Sequence, residues 1–527
     1  MKKLQYILLA VAMAFASACE QELIETVPPD PDMTNVTPDP CTGSPGSASF
    51  TKFVAIGNSL VAGVQAGALF DDGQANSLAA ILNTQFACVG GSSTFTQPNI
   101  NTPLGFNLFI TPNPTTGGTV LGRMLLQGTP PRPTPQVSNV AAIPNPAVNP
   151  AFIYAGPKSA LNNFAVPAVL LGQSLIPQTG NWAGAGTDPR FNPFYGRLAY
   201  PGTGTSTIIG DAAAAGGTFF MFWLGLDDFF LHAAYGGDPT KAPLTPTGPL
   251  PTGFDGQYAA AVGSLLASNP ELKGVVGNFP SIFAMPHFRA VAWNPIPLDA
   301  PTAATVTTNL ANNYNGFLLI MANNGIITQA EKSARTLTYA AGANPILISD
   351  ETLTDLSPYM AGPAAALLPY ARARQTKNTD IIPLSTGTVL GTAVGGDPSK
   401  INGVTVPLGD QYALIPTEIL AIETARASFN AAVKNVVDAF PTRLAFADVN
   451  KAYSDFVTAK ALVINNITIT PLIDPPTGIF SEDGVHPNSR GYAYLSNIFI
   501  EAINTKFGSS VPLTNVSKYK ATGLPIP

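Results

Sequence analysis

The chain has little of what metal sites, disulfide scaffolds and nucleic-acid surfaces are made of. Three histidines and three cysteines in 527 residues leave no zinc-type ligand spacing and far too few thiols for a disulfide-stapled scaffold. Charged residues make up only 11%. Lys and Arg number 26 against 32 Asp and Glu, a net charge of −6. They form no basic patch and no interleaved aromatic–Arg stripe, so nucleic acid is not expected as a partner. The apolar run from Tyr6 to Phe15 is too short to span a bilayer as a helix. No internal repeat is evident. Disorder throughout is excluded from the other side, because 46% of the residues are hydrophobic.

What is present is proline and glycine, 50 and 48 residues, which predict long loops between elements rather than a helical bundle. With so few charges the surface must rely on Ser, Thr, Asn, Gly and Pro. At the N-terminus Lys2 and Lys3 precede the apolar run, and Ala16-Ser17-Ala18-Cys19 follows it. Small residues before a cysteine read as a bacterial lipoprotein signal over residues 1–18, with Cys19 as the lipidated residue; a plain secretory signal cleaved near the same point is the alternative. Acyl chains on Cys19 would contribute about 0.8 kcal/mol per buried methylene, and more than one chain anchors stably. Removing residues 1–18 deletes two lysines and no acids, taking the charge from −6 to −8. Residues 19–48, with Pro28-Pro29-Asp30-Pro31 and Pro38-Asp39-Pro40, read as an extended tether. The remaining cysteines, Cys41 and Cys88, either pair in an oxidising compartment or stay as buried thiols.

From Ser49 onward helical and strand patterns alternate. Residues 53–56 form a short strand-like run. Residues 77–82 look helical. Residues 89–160 are mostly loop, with Phe95, Phe106, Phe109 and Met124 expected to pack it onto the body. Residues 162–168 join a polar turn to a strand-like pair, and a helix is expected from Val169. Residues 218–224 form a continuous apolar run, as expected of a strand buried on both faces. A helix over 258–266 and a strand over 274–277 follow. His232 and His287 are expected to be hydrogen-bonded structural histidines. Residues 290–410 read as an insertion, with helices at 305–322 and 328–340 and a strand at 345–348. The main pattern resumes with a helix from Glu418 to Phe440 and a strand at 443–449. Such alternation predicts an α/β fold, a parallel sheet sandwiched by helices, with large loop and helical insertions. The globular domain is expected over 49–512, followed by a tail over 513–527.

Two distant stretches carry the chemistry. Gly57-Asn58-Ser59-Leu60 breaks the first strand in a sharp turn, the geometry that exposes a serine hydroxyl at a strand's C-terminal end. Far downstream, Ser481-Glu482-Asp483-Gly484-Val485-His486 places a carboxylate three residues before an imidazole. Asn488 is a candidate N-cap for the helix that follows, with Tyr492, Leu495 and Phe499 at helical spacing. Acyl transfer needs a nucleophile, a base and a group that orients the base; Ser59, His486 and Asp483 supply these three. No metal and no cofactor is called for.

In this order the blocks resemble the SGNH/GDSL family of serine esterases and lipases. Gly57-Asn58-Ser59-Leu60 looks like its first block, with Asn58 where the name-giving motif has Asp. Asn163 to Ala168 looks like the second, Gly225-Leu226-Asp227-Asp228 like the third, and Asp483-Gly484-Val485-His486 matches the fifth. The context through Phe507, Gly508 and Pro512 is similar to envelope lipoproteins of this family from Bacteroidetes-type bacteria. The resemblance covers residues 50–290 and 415–512. It implies a flavodoxin-like three-layer fold and a metal-free ester hydrolase. It also implies a cell-envelope, outer-membrane location with a membrane contact through the anchor. The ester would be that of an acylated glycan, a lipid or a small molecule.

The same resemblance assigns the oxyanion hole to the Ser59 N–H, the residue-168 N–H and the residue-227 side chain. This chain departs twice. Ala168 stands where the family has Gly, and Asp227 stands where it has Asn. An ionised carboxylate cannot donate to an oxyanion, and losing one such donor costs on the order of 10²–10³ in turnover. Either Asp227 is held protonated by burial and by Asp228, or the chain is a slow enzyme or a glycan- or lipid-binding lipoprotein.

Overall fold

The structure is a computed structural model and describes residues 41–107, 120–127, 132–138, 153–199 and 204–521. The signal reading at 1–18, Cys19, the tether as far as residue 40, and Phe109 lie outside the described residues.

The fold is α/β, with a central parallel sheet flanked by helices. Its four strands are β1 (Phe53–Gly57), β2 (Phe219–Trp223), β3 (Lys273–Gly277) and β4 (Leu444–Ala447), in that spatial order. All neighbouring pairs are parallel, with Phe53 opposite Phe219 and Leu444 opposite Gly274. The β2 run Phe-Phe-Met-Phe-Trp is buried along its whole length, because both faces are covered. Successive side chains on a strand point to opposite faces. Phe222 meets Tyr258, ring centroids 5.3 Å apart, on helix α2 (Phe254–Ser268). Trp223 meets Phe499, at 5.5 Å, on helix α4 (Ser489–Phe507). Helix α3 (Pro416–Ala439) packs against α2, and helix α1 (Leu78–Ala87) against α4. Beside the open edge of β1 runs segment 162–166. The Ala55 N–H donates to Asn162 O (2.7 Å), and the N–H groups of Phe164 and Val166 donate to Ala55 O (2.8 Å) and Gly57 O (2.9 Å).

Helix ends follow their sequence signals. Ser77 caps α1 by accepting from Ala80 N–H, and Asn488 caps α4 by accepting from Gly491 N–H. Gly508 ends α4 in the left-handed conformation that glycine tolerates best. Among the described residues no helix is long and apolar enough to cross a membrane.

Several local expectations are corrected. The helix expected from Val169 is instead a pair of 3-10 turns, Gly172–Leu175 and Pro177–Gly180. Side chains take its first amides: Leu170 N–H goes to Gln173 Oε1 (2.9 Å) and Leu171 N–H to Asp228 Oδ2 (2.8 Å), and Pro177 ends the run. Part of the 89–160 loop is an antiparallel hairpin, Leu121–Gln127 with Arg132–Val137. Phe106 is fully buried against Phe194, and Arg123 lies over the Phe70 ring. Residues 41–48, read as tether, are held on the body. A Cys41–Cys88 disulfide joins them to the end of α1, and Ser47 N–H donates to Phe507 O (2.8 Å). Residues 513–521, read as tail, are also packed; Val516 is fully buried, and the Asn488 amide donates to Ala521 O.

The inserted stretch builds a second hydrophobic core of its own, from Ile296 to Ile415, around Leu310, Tyr314, Leu318, Leu347 and Ile382. Its helices are Ala300–Val306 and Asn312–Asn323, joined by a π turn at Thr307–Ala311, and Gln329–Arg335. The strand expected at 345–348 is Leu347–Ser349. It pairs antiparallel with Ala373–Gln375 outside the main sheet. Buried Arg374 bridges Asp350 and Asp380 there, at 2.5 and 2.6 Å. A buried ion with both partners in place avoids the penalty of an unpaired charge.

Candidate active site

Ser59 follows β1 directly. Gly57 ends the strand, and Asn58 turns the chain, its Oδ1 accepting from Leu60 N–H at 3.1 Å. Ser59 then opens a single helical turn, Ser59–Ala62, which Gly63 closes in the left-handed region. The serine therefore sits at the carboxyl end of a parallel strand, where open α/β sheets place their ligands. It is 5% exposed.

The Asp483–His486 turn approaches from the other end of the chain. His486 Nε2 lies 2.9 Å from Ser59 Oγ, and His486 Nδ1 lies 2.7 Å from Asp483 Oδ2. A carboxylate only accepts, so Nδ1 carries the proton and Nε2 presents its lone pair to the serine hydroxyl. Residues 427 positions apart are in hydrogen-bond contact.

Asp483 is held from several directions. Oδ1 accepts from the N–H groups of Val485 and His486 (both 2.8 Å). Oδ2 also accepts from Gly67 N–H (2.5 Å). Burial opposes its charge. The His486 ring, its hydrogen bond and the two backbone N–H groups outweigh that and bring the carboxyl down to about 2. The loop after Ser59 is tied to the same turn. Ala66 N–H donates to Ser481 Oγ (2.8 Å), which donates on to His486 O (2.8 Å), and Tyr492 OH donates to Val64 O (2.7 Å). Gly484 is required by geometry, with φ +70° and a Cβ that would stand 2.8 Å from His287 N.

Ser59, Ala168, Asp227 and His486 line one cleft with Leu60, Leu226, Phe230, Leu231 and Val485. It is narrow and opens to solvent; about 300 Å³ lies between its walls when the open mouth is counted, and the space enclosed is far smaller. Ala168 adopts φ 52°, the left-handed region where a Cβ is disfavoured.

Asp227 and Asp228 open the helix Asp227–Ala234 after β2 and are both buried. Their surroundings differ. Asp228 accepts from Leu171 N–H (2.8 Å) and from Thr245 Oγ1 (2.8 Å). Asp227 Oδ2 is buried with no hydrogen-bond partner, and Asn58 Nδ2 nearby also has none. Burial, then the Asp228 carboxyl, pushes Asp227 up to about 7; His486, the Asn58 amide and the Val169 N–H pull the other way. Burial also pushes Asp228 up to about 7, against its two donors. Burial thus sets both carboxyls against ionising together near neutral pH, and their titration belongs to the pair.

The structure thus brings together Ser59, His486, Asp483, Ala168 and Asp227; Cys19 lies outside the described residues. It adds contacts that reading did not reach. The Gly67 contact is a backbone amide and leaves no side-chain signature. The Ser481 hydroxyl lay two residues before Asp483 within the same stretch. His232 is hydrogen-bonded as expected, Nδ1 to Ala242 O at 2.7 Å. His287 is not fully satisfied: Nδ1 bonds Asp483 O at 3.1 Å, and Nε2 is buried without a partner. Comparison with family models, with curated proteins and with solved structures finds no match to this chain.

Proposed function

We propose that this chain is a serine hydrolase of the SGNH/GDSL type, with the family's three-layer fold, cleaving carboxylic esters through an acyl-enzyme. The observation that carries this reading is the unbroken hydrogen-bond chain from Ser59 Oγ through His486 to Asp483. His486 Nε2 takes the proton as Oγ bonds to the ester carbonyl carbon. It gives that proton to the departing alkoxide when the C–O bond breaks. Water, deprotonated by the same nitrogen, then bonds to the acyl carbon; the acyl–Oγ bond breaks, Nε2 returns the proton to Oγ, and the acid leaves with Ser59 restored. Asp483, ionised throughout, stabilises the imidazolium. The apolar walls at Leu60, Phe230 and Val485 suit a short acyl group.

The oxyanion would be met by the backbone N–H groups of Ser59 and Ala168 and by Asp227 as a neutral carboxylic acid, the one form in which it donates. In the same reading residues 1–18 are a signal, Cys19 carries the lipid, and the enzyme works in the cell envelope on an acylated glycan, a lipid ester or a small ester. A fluorophosphonate probe tests the proposal: it labels the purified protein and not Ser59→Ala, and short nitrophenyl esters are turned over only by the former. Equal behaviour of the two proteins ends the reading.

Asp227 motivates a second reading, a glycan- or lipid-binding lipoprotein without turnover. Absence of probe labelling together with saturable binding on a glycan array would select it.

A further inference from the structure

His287 is remote from the triad in sequence and touches it in space. It lies in the 3-10 turn Pro286–Phe288 at the root of the inserted module, where Leu384–Thr388 packs against that turn. Two of its groups grip the acid–base turn. The backbone N–H donates to Gly484 O (2.9 Å), and ring Nδ1 donates to Asp483 O (3.1 Å). A carbonyl only accepts, so the proton is on Nδ1 and the lone pair on Nε2.

That lone pair is buried with no partner. The ring stands 5.0 Å from Phe288 and 6.4 Å from Phe230, a wall of the cleft. Burial lowers the pKa of His287, and the His486 charge opposes its protonation further, against the Asp483 backbone bond and charge. An unsatisfied buried nitrogen is destabilising, so filling space among phenylalanines would be better done by a hydrocarbon. The polar ring is explained by its other nitrogen.

We propose that His287 is a positioning residue: its Nδ1–H fixes the Asp483 carbonyl, so that the Asp483 carboxylate keeps the His486 ring aimed at Ser59. Its effect on turnover rests on the hydrolase reading; its effect on the His486 ring does not. One residue at the module's root thereby ties the second core to the reacting groups. Gly484, with no room for a Cβ against His287 N, is the other half of the clamp.

Three variants of the full chain test this. His287→Asn keeps an amide N–H where Nδ1 is, His287→Gln moves it to where Nε2 is, and His287→Phe keeps only the shape. We expect kcat on short nitrophenyl esters to fall about tenfold in the Gln and Phe variants, as for one lost hydrogen bond. KM should be unchanged, and the Asn variant should stay within about threefold of wild type.

A second readout is independent of turnover. With three histidines in the chain, their ring signals are separable by nitrogen-15 NMR. The His486 Nδ1–H proton should be protected from exchange in wild type and His287→Asn, and lost to exchange in His287→Gln. A His287→Gln protein with wild-type kcat and a protected proton overturns the proposal. So does a His287→Asn protein as impaired as His287→Gln. If Ser59→Ala leaves turnover untouched, the hydrolase reading fails, and the NMR comparison still decides the clamp. If His287→Phe does not fold, the Asn–Gln contrast decides alone.

Discussion

Asp227→Asn separates what burial does to a carboxyl from what a donor does for an oxyanion. The folded chain raises Asp227 from 3.8 to about 7. Below about pH 4 the folded and unfolded chains both hold the proton, and the site costs nothing. Between the two values only the folded chain holds it, so stability falls as pH rises. Above about 7 the full penalty is in force, about 4 kcal/mol for a shift of this size. Asparagine keeps the shape and carries no charge at any pH. It loses some of the help that the Val169 N–H gives a carboxylate, so the net gain at pH 8 should be about 2–4 kcal/mol.

The assay is thermal unfolding of wild type and Asp227→Asn at pH 4, 6 and 8. The two melting temperatures should lie close at pH 4 and diverge steadily above pH 5, the variant higher. Turnover offers a second axis. Wild-type Asp227 can donate only while protonated, and by pH 9 roughly one molecule in a hundred is. The ratio of variant to wild-type kcat should therefore climb about tenfold per pH unit above 7, up to the 10²–10³ that one oxyanion donor is worth. A ratio independent of pH, or a variant less stable than wild type at pH 8, refutes the reasoning.

Two further substitutions probe the scaffold. Ala168→Gly removes a Cβ from a left-handed backbone position at φ 52°. Relief of about 1 kcal/mol, partly offset by glycine's greater unfolded freedom, should leave the melting temperature equal or slightly raised and kcat unchanged. Cys41→Ser with Cys88→Ser opens a cross-link spanning 47 positions. Chemical denaturation should then show a loss of roughly 4 kcal/mol, with Ser59 probe labelling preserved in the folded fraction.

Much of this protein is legible in the chain itself. The β2 run Phe-Phe-Met-Phe-Trp has no polar face to offer solvent, and its shortness and aromatic content fit a strand covered twice, which places a sheet between helices. Asn488, Gly508 and Ser77 mark helix ends through chemistry local to a few residues. Ser59, Asp483 and His486 stand out in the chain because each sits in a short stretch with a local signature: a serine in the turn after a strand, and a carboxylate three residues before an imidazole. The misread segments have the opposite character. The helix expected after Val169 loses its amides to Gln173 and to Asp228, and the partner 57 positions away is invisible to local pattern. Residues 41–48 have the composition of a tether, yet a disulfide and the end of α4 hold them down.

Local sequence determined which atoms are available: a hydroxyl after a strand, a carboxylate and an imidazole on one turn, two adjacent acids at a strand end. Tertiary structure decided which of those atoms meet and in what state of charge. It sets Ser59 against His486, hands donors to Asp228 and withholds one from Asp227 Oδ2, and brings the His287 ring under Asp483. Contact across 427 positions and desolvation are properties of the packed whole, because each depends on neighbours that only the closed fold supplies.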